Sequence, residues 1–181
     1  MILQLPLTQA QLQALRIGER YELCGEIYTA RDEAHKRMVA AVERGEALPI
    51  PIAYSSIFYT GPCPPRPGMA IGSIGATTSS RMDPYVETML RAGNRIMIGK
   101  GTRAPYIAEL CKRYNAVYFM VFGGIAALYS KAVTEAEIVA YEDLGTEAIR
   151  RLRVNGFQVI VATDTLGNVL QDVCQKEFQE V

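Results

Sequence analysis

The sequence predicts an α/β domain with a mixed, partly barrel-like sheet flanked by helices. Three observations support this. Segments of strand periodicity and of helix periodicity alternate through most of the 181 residues. Some strand segments follow each other too closely for a crossover helix, so they cannot all be parallel. The length suits one domain with a sizeable core, and no repeat, low-complexity tract or linker divides it. Residues 1–181 are therefore expected to form a single domain.

From the N-terminus, Leu5-Pro-Leu-Thr8 reads as an extended start before a short helix over 9–15 capped by Thr8. Tyr21, Leu23, Gly25 and Ile27 alternate with polar residues and Cys24, the pattern of a strand with one buried face. Thr29-Ala-Arg-Asp32 fits a helix-start box, with Thr29 as cap. That helix runs to about Arg44 and stops at Gly45, with Ala34, Met38, Ala41 and Val42 as its stripe. A strand follows over 55–60, and four prolines make 61–68 a stiff loop. Residues 69–76 read as a strand, with Gly72 and Gly75 allowing close backbone approach. The next helix starts at Ser80 or at Asp83-Pro84; proline at the first helical position favours the latter, and Gly93 ends it.

Residues 95–98 form a short apolar strand, and 105–114 a helix with Ile107, Leu110 and Cys111 inward. A continuous apolar run over 116–122 is a buried strand, closed by Gly123-Gly124. A short helix over 125–131, a strand over 137–141, a helix over 146–153 and a strong buried strand over 157–163 complete the order. Leu166-Gly-Asn168 is a turn, and the tail from Leu170 is polar and partly helical.

Hydrophobic residues at 49% and charged residues at 21% describe an ordinary globular chain. Basic and acidic residues balance, which argues against a nucleic-acid binder that relies on bulk positive charge. No apolar run is long enough to span a bilayer, and the start lacks the features of a signal peptide, so no membrane partner and a cytoplasmic location are expected. Cys24, Cys63, Cys111 and Cys174 are scattered, with no CxxC pair; free thiols and no metal or cluster ligand on this chain are the expectation.

Chemistry concentrates in Gly75-Ala-Thr-Thr-Ser-Ser-Arg-Met-Asp83. Four hydroxyl side chains lead into an arginine and then a helix, a combination suited to a small anion such as a carboxylate or phosphate. Gly99-Lys-Gly-Thr-Arg-Ala104 imitates a dinucleotide-binding turn, but the next strand ends in Phe122-Gly-Gly124 rather than in the ribose-binding acid. A P-loop fails as well, since Gly101 stands where the magnesium-binding hydroxyl is required. Lys100 remains as a cation on a glycine-flanked turn at a strand end. Arg31 is either a solvated arginine or a second anion contact at a helix start, with Asp32 the local complement of the dipole. His35, the only histidine, reads as a structural donor. Arg31, Arg81 and Lys100 together could hold two carboxylates, and a threonine hydroxyl near them has its pKa lowered.

The stretches Glu26-Ile-Tyr-Thr-Ala-Arg-Asp-Glu-Ala-His-Lys-Arg37, Gly61-Pro-Cys-Pro-Pro-Arg-Pro-Gly-Met69, Gly75 to Asp83, Ile98-Gly-Lys-Gly101 and Tyr141-Glu-Asp-Leu-Gly145 occur in this order in one family. The chain resembles the β subunit, or C-terminal domain, of class I iron–sulfur fumarate hydratases and L(+)-tartrate dehydratases, over nearly its whole length. Cys63, Ala30 and Ala76 depart from the familiar pattern without removing a reacting group. The resemblance implies a swivelling β/β/α domain that works with a cluster-bearing α subunit, as a heterodimer or α2β2. The [4Fe–4S] cluster would belong to that partner and not to this chain. Thr77 and Lys100 would be catalytic, with Thr77 as base, and Arg31, Thr78 and Arg81 would bind a C4-dicarboxylate. The implied reaction is reversible hydration of fumarate to (S)-malate. The alternatives are L(+)-tartrate dehydration, methylfumarate (mesaconate) hydration, or a non-catalytic dicarboxylate- or phosphate-binding module.

Overall fold

The computed structural model describes residues 1–178. The chain runs β1 (Ile2–Gln4), α1 (Gln9–Ala14), β2 (Arg20–Thr29), α2 (Asp32–Glu43) and β3 (Ser56–Phe58). A 3-10 turn (Ser79–Met82) then leads directly into α3 (Asp83–Arg91). After it come β4 (Ile96–Gly99), α4 (Tyr106–Tyr114), β5 (Val117–Met120), α5 (Ala126–Lys131) and β6 (Val133–Ala140). A second 3-10 stretch (Glu142–Glu147), β7 (Ile149–Thr163) and α6 (Leu170–Phe178) end the order. No helix is long and apolar enough to cross a membrane among the described residues.

Strands β2, β3, β4 and β5 lie side by side and parallel. β7 pairs antiparallel with β5 and with β2, which closes these five strands into a barrel. β1 continues the sheet beside the first half of β2, and β6 does so beside the first half of β7. This is the mixed, barrel-like sheet with flanking helices that the sequence predicts. Closure is possible because β7 is 15 residues long and can serve three partners.

Side chains alternate across each strand. Phe58, Ile96, Ile98, Val117 and Phe119 join Leu23, Ile27 and Phe157 in one buried cluster, the barrel interior. Their neighbours Ile57, Tyr59, Met97 and Tyr118 belong to a second cluster with Ala34 and Met38 of α2, Val86 and Leu90 of α3, and Ile107 and Leu110 of α4. Strands buried on both faces carry continuous apolar runs, which accounts for the unbroken stretch through β5.

Three elements differ from expectation. Residues 69–76 form no strand; Ala76 alone makes a single bridge, to Thr60. Gly72 is wedged against the carbonyls of Cys63 and Pro64, and Cys63 donates to the Ser73 carbonyl at 3.0 Å. The segment is therefore held by the proline loop, with Ile71 and Ile74 as buried anchors. Of the helix expected over 146–153, residues 149–153 are instead the start of β7, because β2 and β6 offer them a ladder on both sides, and 146–147 end the second 3-10 stretch. Thr29 does not cap α2. It ends β2, its hydroxyl donating to the Ala148 carbonyl and accepting from Arg150 N–H.

The parallel strands β2 to β5 all end on one side of the barrel. The segments that leave them there carry Arg31, Thr60, Lys100 and Phe122, the end at which ligands bind in open α/β sheets.

Candidate active site at the carboxyl ends of the parallel strands

The hydroxyl-rich loop is stitched to the ends of two strands. Thr77 N–H donates to the Tyr59 carbonyl at 2.7 Å, just beyond β3. Thr78 bridges in parallel to Lys100, just beyond β4, and Ser79 N–H donates to the Lys100 carbonyl at 2.9 Å. Backbone pairing thus brings Thr77 and Thr78 beside Lys100, which the sequence separates by more than twenty residues. The four hydroxyls then divide by environment. Ser79 is fully buried and receives the Tyr118 hydroxyl at 2.9 Å, so it is structural. Thr78 and Ser80 are exposed, Thr77 is half-buried, and the Thr77 hydroxyl has no protein partner among the described residues.

The arginines meet through a shared carboxylate. Arg31 precedes α2 at its N-cap position, and its Nε donates to Asp32 Oδ2 at 3.2 Å. Arg81 Nε donates to Asp32 Oδ1 at 2.9 Å, and Arg81 Nη2 lies 2.8 Å from the same oxygen. Arg31 Nε also lies 3.4 Å from Glu147 Oε1, while Glu147 Oε2 accepts from Glu33 N–H at 3.0 Å. The α2 cap that the sequence assigned to Thr29 therefore comes from Glu147, 114 residues away. Gly61 leaves room for this: a Cβ there would stand 3.3 Å from Arg31 Nη1 and 2.9 Å from the Thr146 carbonyl. Burial pushes the Asp32 carboxyl up, but its own backbone amide and the guanidinium groups of Arg31 and Arg81 outweigh this and hold it below the usual carboxylate range.

A buried network supports the loop from beneath. Arg103 Nε donates to Asp83 Oδ1 and Ala104 N–H donates to Asp83 Oδ2, with both side chains at most 5% exposed. The Arg103 guanidinium lies over the rings of Tyr59 and Tyr118, at 5.4 and 4.9 Å from their centroids. Burial pushes the Tyr118 phenol up to about 12, so it stays neutral, with its single O–H proton shared between Ser79 Oγ and the Gly101 carbonyl. Gly99 permits the packing, since a Cβ at that position would fall on Ser79 Oγ.

His35 lies under the site rather than in it. Its Nδ1 donates to the Arg31 carbonyl at 3.0 Å, and its ring packs on Tyr59 and Tyr85. Burial lowers its pKa to about 4, so the ring is neutral and structural, in line with its sequence reading.

Sequence reasoning missed Asp32, Glu147 and the pair Asp83–Arg103 as parts of this constellation. The only advance signal was position: Asp32 and Asp83 each stand at a helix start, and the local capping explanation absorbed them. Among the described residues no three His, Cys, Asp or Glu side chains group as metal ligands. Cys111 is a buried thiol pushed up to about 12, Cys24 is half-buried beside Asn155, and Cys63 and Cys174 are exposed. Cavities of about 680 and 540 Å³ lie elsewhere, neither lined by Thr77, Arg81 or Lys100, and Thr78, Ser80 and Arg81 face outward as exposed side chains.

The sequence of this barrel places it in a family whose named members are hydro-lyases. The sequence profile of that family, Fumarase C-terminus, matches residues 1–173, and the chain belongs to it. The chain is 36% identical over 161 residues to the aerobic class I fumarate hydratase of Escherichia coli (strain K12), covering 88% of this chain and 29% of that enzyme. It is 34% identical over 180 residues to the putative L(+)-tartrate dehydratase subunit beta of Methanocaldococcus jannaschii, covering 96% and 92%. It is 32% identical over 184 residues to the L(+)-tartrate dehydratase subunit beta of Escherichia coli, covering 99% and 90%. The chain thus spans under a third of the length of the fumarate hydratases it matches, and nearly all of the tartrate dehydratase β subunits.

Proposed function

We propose that this chain is the β subunit of a hydro-lyase acting on a C4-dicarboxylate, reversibly hydrating fumarate to (S)-malate, and that it acts only with a cluster-bearing α subunit. The observation that carries this is the convergence of Thr77, Thr78, Lys100, Arg31 and Arg81 at one end of the barrel, through the Thr78–Lys100 bridge and the Arg31–Asp32–Arg81 contact. Arg31, Arg81 and Lys100 would take the two carboxylates. In the dehydration direction the Thr77 hydroxyl, as alkoxide, would receive the proton from the carbon next to a carboxylate. The neighbouring cations would stabilise the aci-carboxylate that forms as the C–H bond breaks. Threonine is a weak base in water, and a cationic site shielded from water brings its alkoxide within reach. Thr78 would help hold the substrate beside it.

The four thiols of this chain do not make a ligand set for an iron–sulfur cluster, because they lie in separate environments and belong to no group of metal-ligating side chains among the described residues. We therefore assign the cluster to the partner, where it would supply the Lewis acid for the substrate hydroxyl. The open face around Thr77 fits a site that another chain completes. A second reading, the β subunit of L(+)-tartrate dehydratase, is favoured by one observation: the alignment spans nearly the full length of those β subunits.

The test is an anaerobic assay of the chain alone and with its co-expressed partner, on fumarate, (S)-malate, L(+)-tartrate and methylfumarate. We expect an inactive lone chain and an oxygen-sensitive complex active on one of these diacids. Oxygen-stable turnover by the chain alone would refute the reading, and tartrate preferred to fumarate would select the second one.

A further inference from the structure

The sequence explains Asp32 as the acidic complement of the α2 dipole. In the structure its carboxylate instead spans two cations. Arg31 makes its carboxylate contacts through Nε, to Asp32 and to Glu147. Arg81 uses Nε and Nη2, both on Asp32 Oδ1. Among the described residues, the Nη pair of Arg31 and Nη1 of Arg81 donate no hydrogen bond to a protein acceptor. A guanidinium gripped at Nε keeps its terminal edge, the pair of parallel donors that matches a carboxylate. The two arginines are 50 residues apart in sequence, and among the described residues Asp32 is the one carboxylate that forms an ion pair with both.

We propose that Asp32 is a positioning residue for the dicarboxylate: by holding Arg31 at Nε and Arg81 at Nε and Nη2, it leaves the terminal edge of Arg31 for one substrate carboxylate and Nη1 of Arg81 as a further donor. This rests on the preceding assignment of both arginines to substrate. Glu147 complements it, since it contacts Arg31 Nε while accepting from Glu33 N–H at the start of α2.

The sign of one measurement separates this from simple electrostatics. Asp32 is a negative charge next to a dianion site, so by Coulomb's law alone Asp32→Asn should tighten substrate binding. If the carboxylate orients the arginines, the same change weakens binding, with KM rising about ten-fold and kcat changing much less. Asp32→Glu keeps the charge but moves the carboxylate by one methylene, and should also raise KM. It carries the test should Asp32→Asn fail to fold. The assay uses the co-expressed complex with fumarate and (S)-malate. A second readout needs no turnover: in the full chain labelled with 15N-arginine, the Nε–H signals of Arg31 and Arg81 should exchange slowly in the wild type and rapidly in Asp32→Asn. A KM unchanged or lowered in both variants, or Nε–H signals indifferent to the substitution, overturns the proposal. If the wild-type complex turns over no C4-dicarboxylate, the assigned function falls instead, and the arginine signals still decide the role of Asp32.

Discussion

Thr77 is where the proposed chemistry is most exposed to test at the scale of the residue. It is half-buried, without a protein partner for its hydroxyl among the described residues, and its backbone is tied to the end of β3. Thr77→Val keeps the shape and removes the hydroxyl, so turnover by the complex should fall at least about a hundred-fold, the scale of a lost general base, while substrate affinity stays near wild type. Near-normal turnover would move the base elsewhere, with Thr78 the next candidate. Gly99 tests the packing below. A methyl group there would meet Ser79 Oγ, which Tyr118 holds in place, so Gly99→Ala should cost about 1–3 kcal/mol in denaturant unfolding. A loss below about 0.5 kcal/mol would mean that the loop adjusts freely. The five candidate residues could be named from the sequence because each lies in a stretch that the family resemblance covers. Asp32 was not, because its contact with Arg81 joins residues 49 apart.

At the scale of the element, the 3-10 turn and α3 form one unit, and the first residue of α3 is pinned from outside. Asp83 makes no cap bond to its own helix, and its carboxylate instead takes Arg103 Nε and Ala104 N–H. Both side chains are nearly inaccessible, so removing one partner strands a buried charge. Asp83→Ala should destabilise the chain by about 3–5 kcal/mol, whereas Asp83→Leu combined with Arg103→Met should recover much of that loss. Equal destabilisation by the single and double replacements would show that the pair acts through something other than its charges. The elements that sequence reading misassigned share a cause. Residues 69–76 carry strand-forming side chains but find only one bridge partner. Residues 149–153 carry helix-forming side chains but are claimed by two neighbouring strands. Local preference decides only where tertiary partners leave the choice open.

At the scale of the whole molecule, the packing of α2 and α3 over the barrel ties global stability to pH through His35. Burial lowers its pKa from 6.5 to about 4 in the folded chain. Between these values the unfolded chain binds more protons, so stability rises with pH across the window. The contribution is full above about pH 6.5 and is lost as pH falls toward 4, on the order of 3 kcal/mol. Asp32, with its folded pKa also lowered, acts in the same direction at more acidic pH. Urea unfolding at pH 7 and pH 4.5 should show the loss, and His35→Gln should remove most of the difference. A pH-independent midpoint in the wild type would contradict the buried, neutral ring.

The class of fold, most of its elements and the stretches that carry the candidate residues can be read from the chain before it folds. Those properties are written in local periodicity, in turn chemistry and in short motifs such as Gly75 to Asp83 and Ile98 to Gly101. The folded arrangement alone closes the sheet, because closure depends on β7 pairing with both β2 and β5. It also decided which hydroxyl is structural and which is unpartnered, and that one aspartate holds two arginines. These are contacts between residues tens of positions apart, whose energies depend on burial and distance, and neither quantity exists until the chain has folded.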